Sequence, residues 1–195
     1  MSRTAAPCRP RGGPALRPDP VAVQMTNSPW RPVDDQGREL ARLLMIGTPT
    51  AALATIEPAG GWPYSSLVSV ASTADGALLI LVSRLSVHTQ ALARDPRCSL
   101  LLADAGRGDP LAHPRLTVFG RAVFLDRDTE EHRRARHRFL ARHPQAERYA
   151  DFSDFSFARI QTERALLNAG FGRASELAAS DLLPGPAAGE TRPPG

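Results

Sequence analysis

Between positions 83 and 89 the chain reads Ser-Arg-Leu-Ser-Val-His-Thr, which places three hydroxyls, a guanidinium and an imidazole within seven residues. An apolar run over 78–82 precedes this stretch, and a helical pattern follows it until Asp95-Pro96. With Ser86 as the cap, the unpaired backbone N–H groups of Val87, His88 and Thr89 point outward from a helix start, where partial positive charge collects. Such an end suits a phosphate or another oxyanion. Arg84 adds a planar, permanently charged fork, Thr89 a hydroxyl donor and His88 an imidazole, while Ser83 reaches in from the strand end. An ordinary capped helix after a buried strand uses the same residue types, so spacing alone leaves both readings open.

Other chemistries find less support. His132, His137 and His143 are spaced by five and six, which does not place them on one helical face, and no Cys or paired carboxylate joins them. No metal site is expected. In the Ser65-Ser66 pair one hydroxyl must face inward on a strand, but neither has a base at a defined spacing and no nucleophile is assigned. Trp30, Trp62 and Tyr64 could stack on a ring or simply pack beside a turn. Gly170, Gly172 and Arg173 in "NAGFGRA" mark a tight backbone with a cation at its exit. All the basic residues are Arg; the absence of Lys excludes a Schiff-base lysine and a P-loop lysine.

The elements that must position these groups follow from periodicity and turn chemistry. A helix is expected from Asp34, capped by Asp35, with Leu40, Leu43 and Leu44 on one face and Gly47 and Pro49 as the stop. Strands are expected at 50–57 and 64–73 around the turn "PAGGWP", then at 77–83 after Asp75-Gly76. The short helix after Ser86 leads to a fourth strand at 97–103, and a Gly/Pro-rich loop leads to a fifth at 115–125. Asp128 and Glu131 have capping-box spacing for a longer helix ending near His143-Pro144, with His132, Ala135, Phe139 and Leu140 on its apolar side. A sixth strand, or two split near 162–164, follows over 154–174, and "SELAASDLL" reads as a weak helix. Short antiparallel strands with few helices indicate a mainly β, α+β chain closing as a small barrel.

Residues 1–33 are expected to be a disordered tail, 34–174 the folded domain, and 175–195 the weak helix with a disordered tail. Translation is expected to start at Met25, where the sequence becomes more ordinary; the intact mass of the native protein tests this. The first 24 residues hold four Arg and one Asp, so they account for +3 of the net +4, leaving +1 for the rest. The high pI thus reflects the tail and Arg usage, and neither a nucleic-acid face nor a membrane span is expected. Two cysteines, Cys8 and Cys98, make no disulfide framework, and a reducing cytoplasm is the expected compartment.

Taken together, "GTPTAALATIEPAGGWPYSSLVSVA", "LLILVSRLSVHTQALARDPRCSLLL", "DPLAHPRLTVFGRA" and the terminal "GFGRA" resemble the pyridoxamine 5′-phosphate oxidase-like flavoproteins, nearest the branch that includes HugZ-type haem-utilisation proteins. The resemblance covers positions 34–174 and is most specific over 83–96 combined with "GFGRA". It implies a six- to seven-stranded split β-barrel, a homodimer with FMN at the subunit interface, and an FMN-dependent oxidoreductase acting on a small molecule. By position it makes Ser66, Ser83, Arg84, His88 and Thr89 the FMN contacts, with Arg115 and Arg173 nearer the flavin ring or substrate. Where the true oxidases set an Arg-Lys pair on the phosphate, this chain has His88-Thr89. The alternative implied by the same branch is a non-catalytic module that binds haem or stores flavin.

Overall fold

The computed structural model describes residues 30–103, 106–170 and 173–183. Residues 1–29 of the expected N-terminal tail, the Met25 start, the far C-terminal tail and the Phe171-Gly172 pair of "GFGRA" lie outside these residues, whereas 30–33, also expected in the tail, include a short strand and Val33 packed on the core. In chain order the elements are β1 (Arg31–Pro32), α1 (Asp35–Gly47), β2 (Thr50–Ile56), β3 (Pro63–Ser72), β4 (Leu78–Ser83) and α2 (Val87–Arg94). They continue with β5 (Arg97–Ala103), β6 (Arg115–Phe124), α3 (Glu130–Arg142), β7 (Phe155–Asn168) and β8 (Ala174–Ala178).

Six strands close on themselves. The order β7-β4-β3-β2-β5-β6 is antiparallel throughout, and β6 pairs back onto β7 to complete a barrel. Closure leaves no open edge in this ring. β8 pairs with the β7 residues Arg164 to Asn168, and the two-residue β1 pairs parallel with β8, putting Pro32 at a sheet edge where its missing N–H costs no ladder bond.

Alternation along the strands divides the apolar residues between two cores. Leu78, Ile80 and Val82 face the barrel interior with Leu53, Val70, Leu100, Val118 and Ile160. Leu79 and Phe157 point the other way and pack with Ala135, Phe139 and Ala146, so α3 covers the outer face of β3, β4 and β7. Phe139 is 1% exposed, and its ring meets Phe157 edge-on at 5.5 Å and His143 at 4.8 Å. His143 is buried with Nε2 2.8 Å from the Val70 carbonyl, whereas His132 packs on Phe157, so both are structural.

Several local expectations need correction. Asp34, not Asp35, caps α1, accepting from the Gly37 amide at 2.7 Å, and Leu43 on the expected apolar face is 56% exposed. Thr129 rather than Asp128 caps α3, accepting from the His132 amide at 3.2 Å. The sixth strand is one continuous β7, and the irregularity expected near 162–164 is a bulge: Phe119 pairs with Arg164 and Gly120 with Thr162, so Glu163 is the extra residue on β7. "SELAASDLL" is not a helix but β8 followed by a 3₁₀ turn over Ala179–Leu182. Its pairing with β7 and the burial of Leu177 and Leu182 outweigh its Ala-rich helix propensity. The folded domain therefore extends past Ala174 to Leu182.

Candidate functional site

The barrel splits where β4 leaves β3. Pairing between them runs only from Ser72↔Leu78 to Val70↔Ile80, while β4 stays on β7 as far as Ser83↔Phe155. α2 lies across the opening, burying Thr89, Ala91 and Leu92 against β2 and β3. The strand-to-helix junction picked out by its hydroxyls thus forms one lip of this mouth, and the half-buried Ser66 on β3 belongs to the other.

Ser66 Oγ lies 3.1 Å from His88 Nδ1 across the mouth. On β3 the residues Ser66, Val68 and Val70 face inward, which settles the Ser65-Ser66 ambiguity: Ser65 is exposed on the outer face. Burial pushes the His88 pKa below its ordinary value, so the imidazole is neutral at physiological pH. Among the described residues, no hydrogen bond engages its Nε2.

Ser86 occupies the cap position of α2 with extended backbone, as expected, but its hydroxyl does not bond a helix amide. It donates to the Ser83 carbonyl at 2.7 Å and lies 2.8 Å from Thr89 Oγ1. The first-turn amides of α2 therefore keep their donors without a side-chain acceptor, an arrangement open to an oxyanion.

The remaining junction residues are committed elsewhere. Ser83 Oγ donates to Asp154 Oδ2 at 2.6 Å and accepts from the Leu85 amide at 3.2 Å. Arg84 turns away from the mouth: its Nη2 donates to the Ser153 carbonyl at 3.0 Å, and its amide to the Asp154 carbonyl at 2.7 Å. Arg127 pins the same loop, donating to the carbonyls of Asp151 (3.2 Å), Phe155 (2.6 Å) and Phe152. Sequence reasoning missed Asp154, Ser153 and Arg127, because the key bonds span 71, 69 and 24–28 residues and no local spacing signals them.

Arg115 and Arg173 do not join the mouth within one chain. Arg115 sits three strands from Ser66 on the outward side of β6, with Nη1 on the Leu111 carbonyl at 3.1 Å. Arg173 is exposed in the β7–β8 turn, where its amide donates to the Gly170 carbonyl at 3.2 Å. Cys98 is buried, and desolvation lifts its thiol to about 11, which rules it out as a nucleophile at neutral pH. Among the described residues no cluster of His, Cys, Asp or Glu could hold a bare metal ion, and no helix is long and apolar enough to cross a membrane.

A closed six-stranded antiparallel barrel with a helix bridging the gap between two parted strands defines a split-barrel protein of the pyridoxamine 5′-phosphate oxidase-like kind, with haem-utilisation proteins among its relatives. Within that class the chain belongs to the CREG, beta-barrel family, whose model matches residues 32–183. It is 41% identical over 103 residues to the chloroplastic non-canonical heme oxygenase HOZ of Arabidopsis thaliana, a match covering 52% of this chain and 30% of that protein. A heme binding protein from Mycobacterium smegmatis is 31% identical with a TM-score of 0.70, over 78% of this chain and 60% of that one. A general stress protein 26 relative of the pyridoxinephosphate oxidase family, from Clostridium acetobutylicum, shares the fold at 10% identity (TM-score 0.59, 77% and 99% of the two chains). The chain thus spans about a third of the curated relative it matches.

Proposed function

We propose that this chain is a haem-utilisation protein that binds haem at the split-barrel mouth, with His88 as the iron ligand. The observation that carries the reading is the pair Ser66–His88: a half-buried, neutral imidazole with Nδ1 engaged at 3.1 Å and Nε2 unengaged. An iron-ligating histidine is commonly held in this way, its second nitrogen bonded to a partner that fixes the tautomer. In this arrangement the proton resides on His88 Nδ1 and Ser66 Oγ accepts it, leaving the Nε2 lone pair for the metal. The open amides at the start of α2 suit a propionate carboxylate. Bound haem would supply a redox-active iron; the protein supplies orientation, burial and charge. The names of the Arabidopsis and Mycobacterium relatives favour the same ligand.

The second reading, an FMN-dependent oxidoreductase acting on a small molecule, is favoured by those same amides, since they suit a phosphate equally well. Two features weigh against it. The Ser83 hydroxyl is taken by the Asp154 carboxylate, and the Arg84 side chain is bonded away from the mouth.

A homodimer completes the site in this proposal. Beyond the part of β3 that α3 covers, the outer face continues across β3, β2, β5 and β6, and the register aligns Leu67, Ala52, Leu101 and Thr117 in one row and Ser65, Ala54, Ser99 and Phe119 in the next. Neither row carries a charge across these four strands, and Leu67 is 75% exposed. Two exposed rows this poor in charge are suited to a self-complementary twofold contact. Such a contact would let a partner's Arg115 or Arg173 approach the mouth that each chain's own copy cannot reach.

Haem titration of the purified protein and of His88→Ala tests the reading. The wild type should develop a Soret band, and the variant should lose it or shift it with at least tenfold weaker binding. Identical spectra for the two proteins would remove His88 from the site, and saturable FMN binding without haem binding would favour the second reading.

A further inference from the structure

A second cleft lies on the opposite side of the helix–sheet layer from the barrel interior, between α3, the β3–β4 turn and the start of β7. Its volume is about 660 Å³, and Leu79, Leu125 and Ala135 contribute to its lining; each is a largely buried residue of the core under α3. This size suits a drug-sized ligand. The acidic, arginine and histidine side chains around it are of two kinds. Arg133 is paired with Glu130 at 2.7 Å, and Arg159 with Asp75 and, at 3.8 Å, with Glu131. The other three, Arg134, His137 and Arg138, fall at i, i+3 and i+4 on one stripe of α3, and none has a carboxylate partner among the described residues. Arg138 uses only Nε, donating to the Ser72 carbonyl at 2.8 Å, which leaves its terminal nitrogens available.

We propose that this cleft binds an amphipathic carboxylate, its apolar body on Leu79, Leu125 and Ala135 and its anionic head between Arg134 and Arg138. Every acidic residue lining the cleft already faces an arginine, so the charge left over on the stripe is positive. Two guanidiniums one helical turn apart can clasp one carboxylate with parallel N–H donors, and His137 sits between them on the same stripe. The Ser72 bond holds one of the two forks in place before the ligand arrives. The site is separate from the split-barrel mouth, so it does not depend on the haem assignment.

Calorimetric titration with dodecanoate, below its micelle concentration, tests the proposal, with dodecanol as the uncharged control. The intact protein should bind dodecanoate saturably, with amide NMR shifts concentrated on Leu79, Leu125 and α3. Arg134→Gln, an exposed position with no partner to lose, should weaken dodecanoate at least fivefold, and Arg134→Gln with His137→Gln should weaken it more, while dodecanol changes little. The absence of saturable binding, equal losses for acid and alcohol, or shifts centred on α2 instead of α3 would each overturn it. Haem titration of the same variants should match wild type, so a failure here is distinguishable from a failure of the haem reading.

Discussion

Ser83 donates its hydroxyl proton to Asp154 across 2.6 Å, and this bond decides what the strand-to-helix junction can offer a ligand. A phosphate approaching the first turn of α2 meets open amides but also a carboxylate bonded to the residue three before the cap. Asp154→Asn keeps an acceptor for Ser83 while removing the charge. FMN affinity should then rise by roughly five- to thirtyfold, the equivalent of about 1–2 kcal/mol for relieving like-charge repulsion near the surface. Fluorescence quenching of FMN measures this, and an unchanged affinity would show that phosphate does not come near Asp154.

The β7 bulge at Glu163 lies opposite Gly120 of β6. A Cβ there would sit 2.3 Å from the Gln161 carbonyl oxygen and 3.0 Å from its carbon, both backbone atoms of the neighbouring strand. Gly120→Ala must therefore push β6 and β7 apart, at a cost of about 2–3 kcal/mol and a fall in Tm of roughly 5–10 °C. Gly47→Ala is the control, because a Cβ at Gly47 meets nothing within 4 Å. Thermal unfolding of the pair should separate them clearly; equal Tm values would refute the close approach.

The strands were legible because each is short, bounded by turn chemistry and patterned by burial. The run 78–82 and the strand expected at 64–73 found their places within a residue or two, as Leu78–Ser83 and Pro63–Ser72. Helix ends were legible to within one residue: Asp34 and Thr129 took the capping roles assigned to Asp35 and Asp128, since neighbouring Asp and Thr residues compete equally for a cap. β8 was hidden, because its strand character comes from β7 and not from its own composition. The site was half legible. Ser66, His88, Ser86 and Thr89 share one mouth, but Ser83 and Arg84 are drawn off by a loop about 70 residues downstream, a pairing only the closed barrel creates.

His88 gives the site a pH dependence with a definite sign. Burial lowers its folded pKa below the ordinary 6.5, so well above that pH it is neutral in both folded and unfolded chains and contributes no pH slope. As pH falls through 6.5 the unfolded chain takes up a proton that the folded chain resists, and stability is lost until the folded pKa is passed. His88→Gln should flatten that part of the stability–pH curve measured by denaturant unfolding, leaving the contribution of His132, whose pKa is lowered mainly by burial as well. A curve with the same slope in wild type and variant would mean that His88 titrates as an exposed group.

The two uncharged rows on the outer face of β3, β2, β5 and β6 yield the last prediction. Leu67 and Leu101 both register with Ala52, on its two sides, so they are neighbours across β2 on the same outer face. Leu67 is 75% and Leu101 39% exposed in the single chain, so neither supports the barrel core. Across a twofold axis each substitution enters the contact twice, which makes introduced charge especially costly there. Leu67→Arg with Leu101→Arg should therefore convert a dimer to a monomer by light scattering, while the Tm of the monomer measured at low concentration stays within a few degrees of wild type diluted to the same extent. If the wild type is already monomeric, or the double variant still dimerises, this face is not the interface. If the dimer is lost and haem binding weakens with it, the partner chain contributes to the mouth; if haem binding survives unchanged, each mouth is complete within one chain.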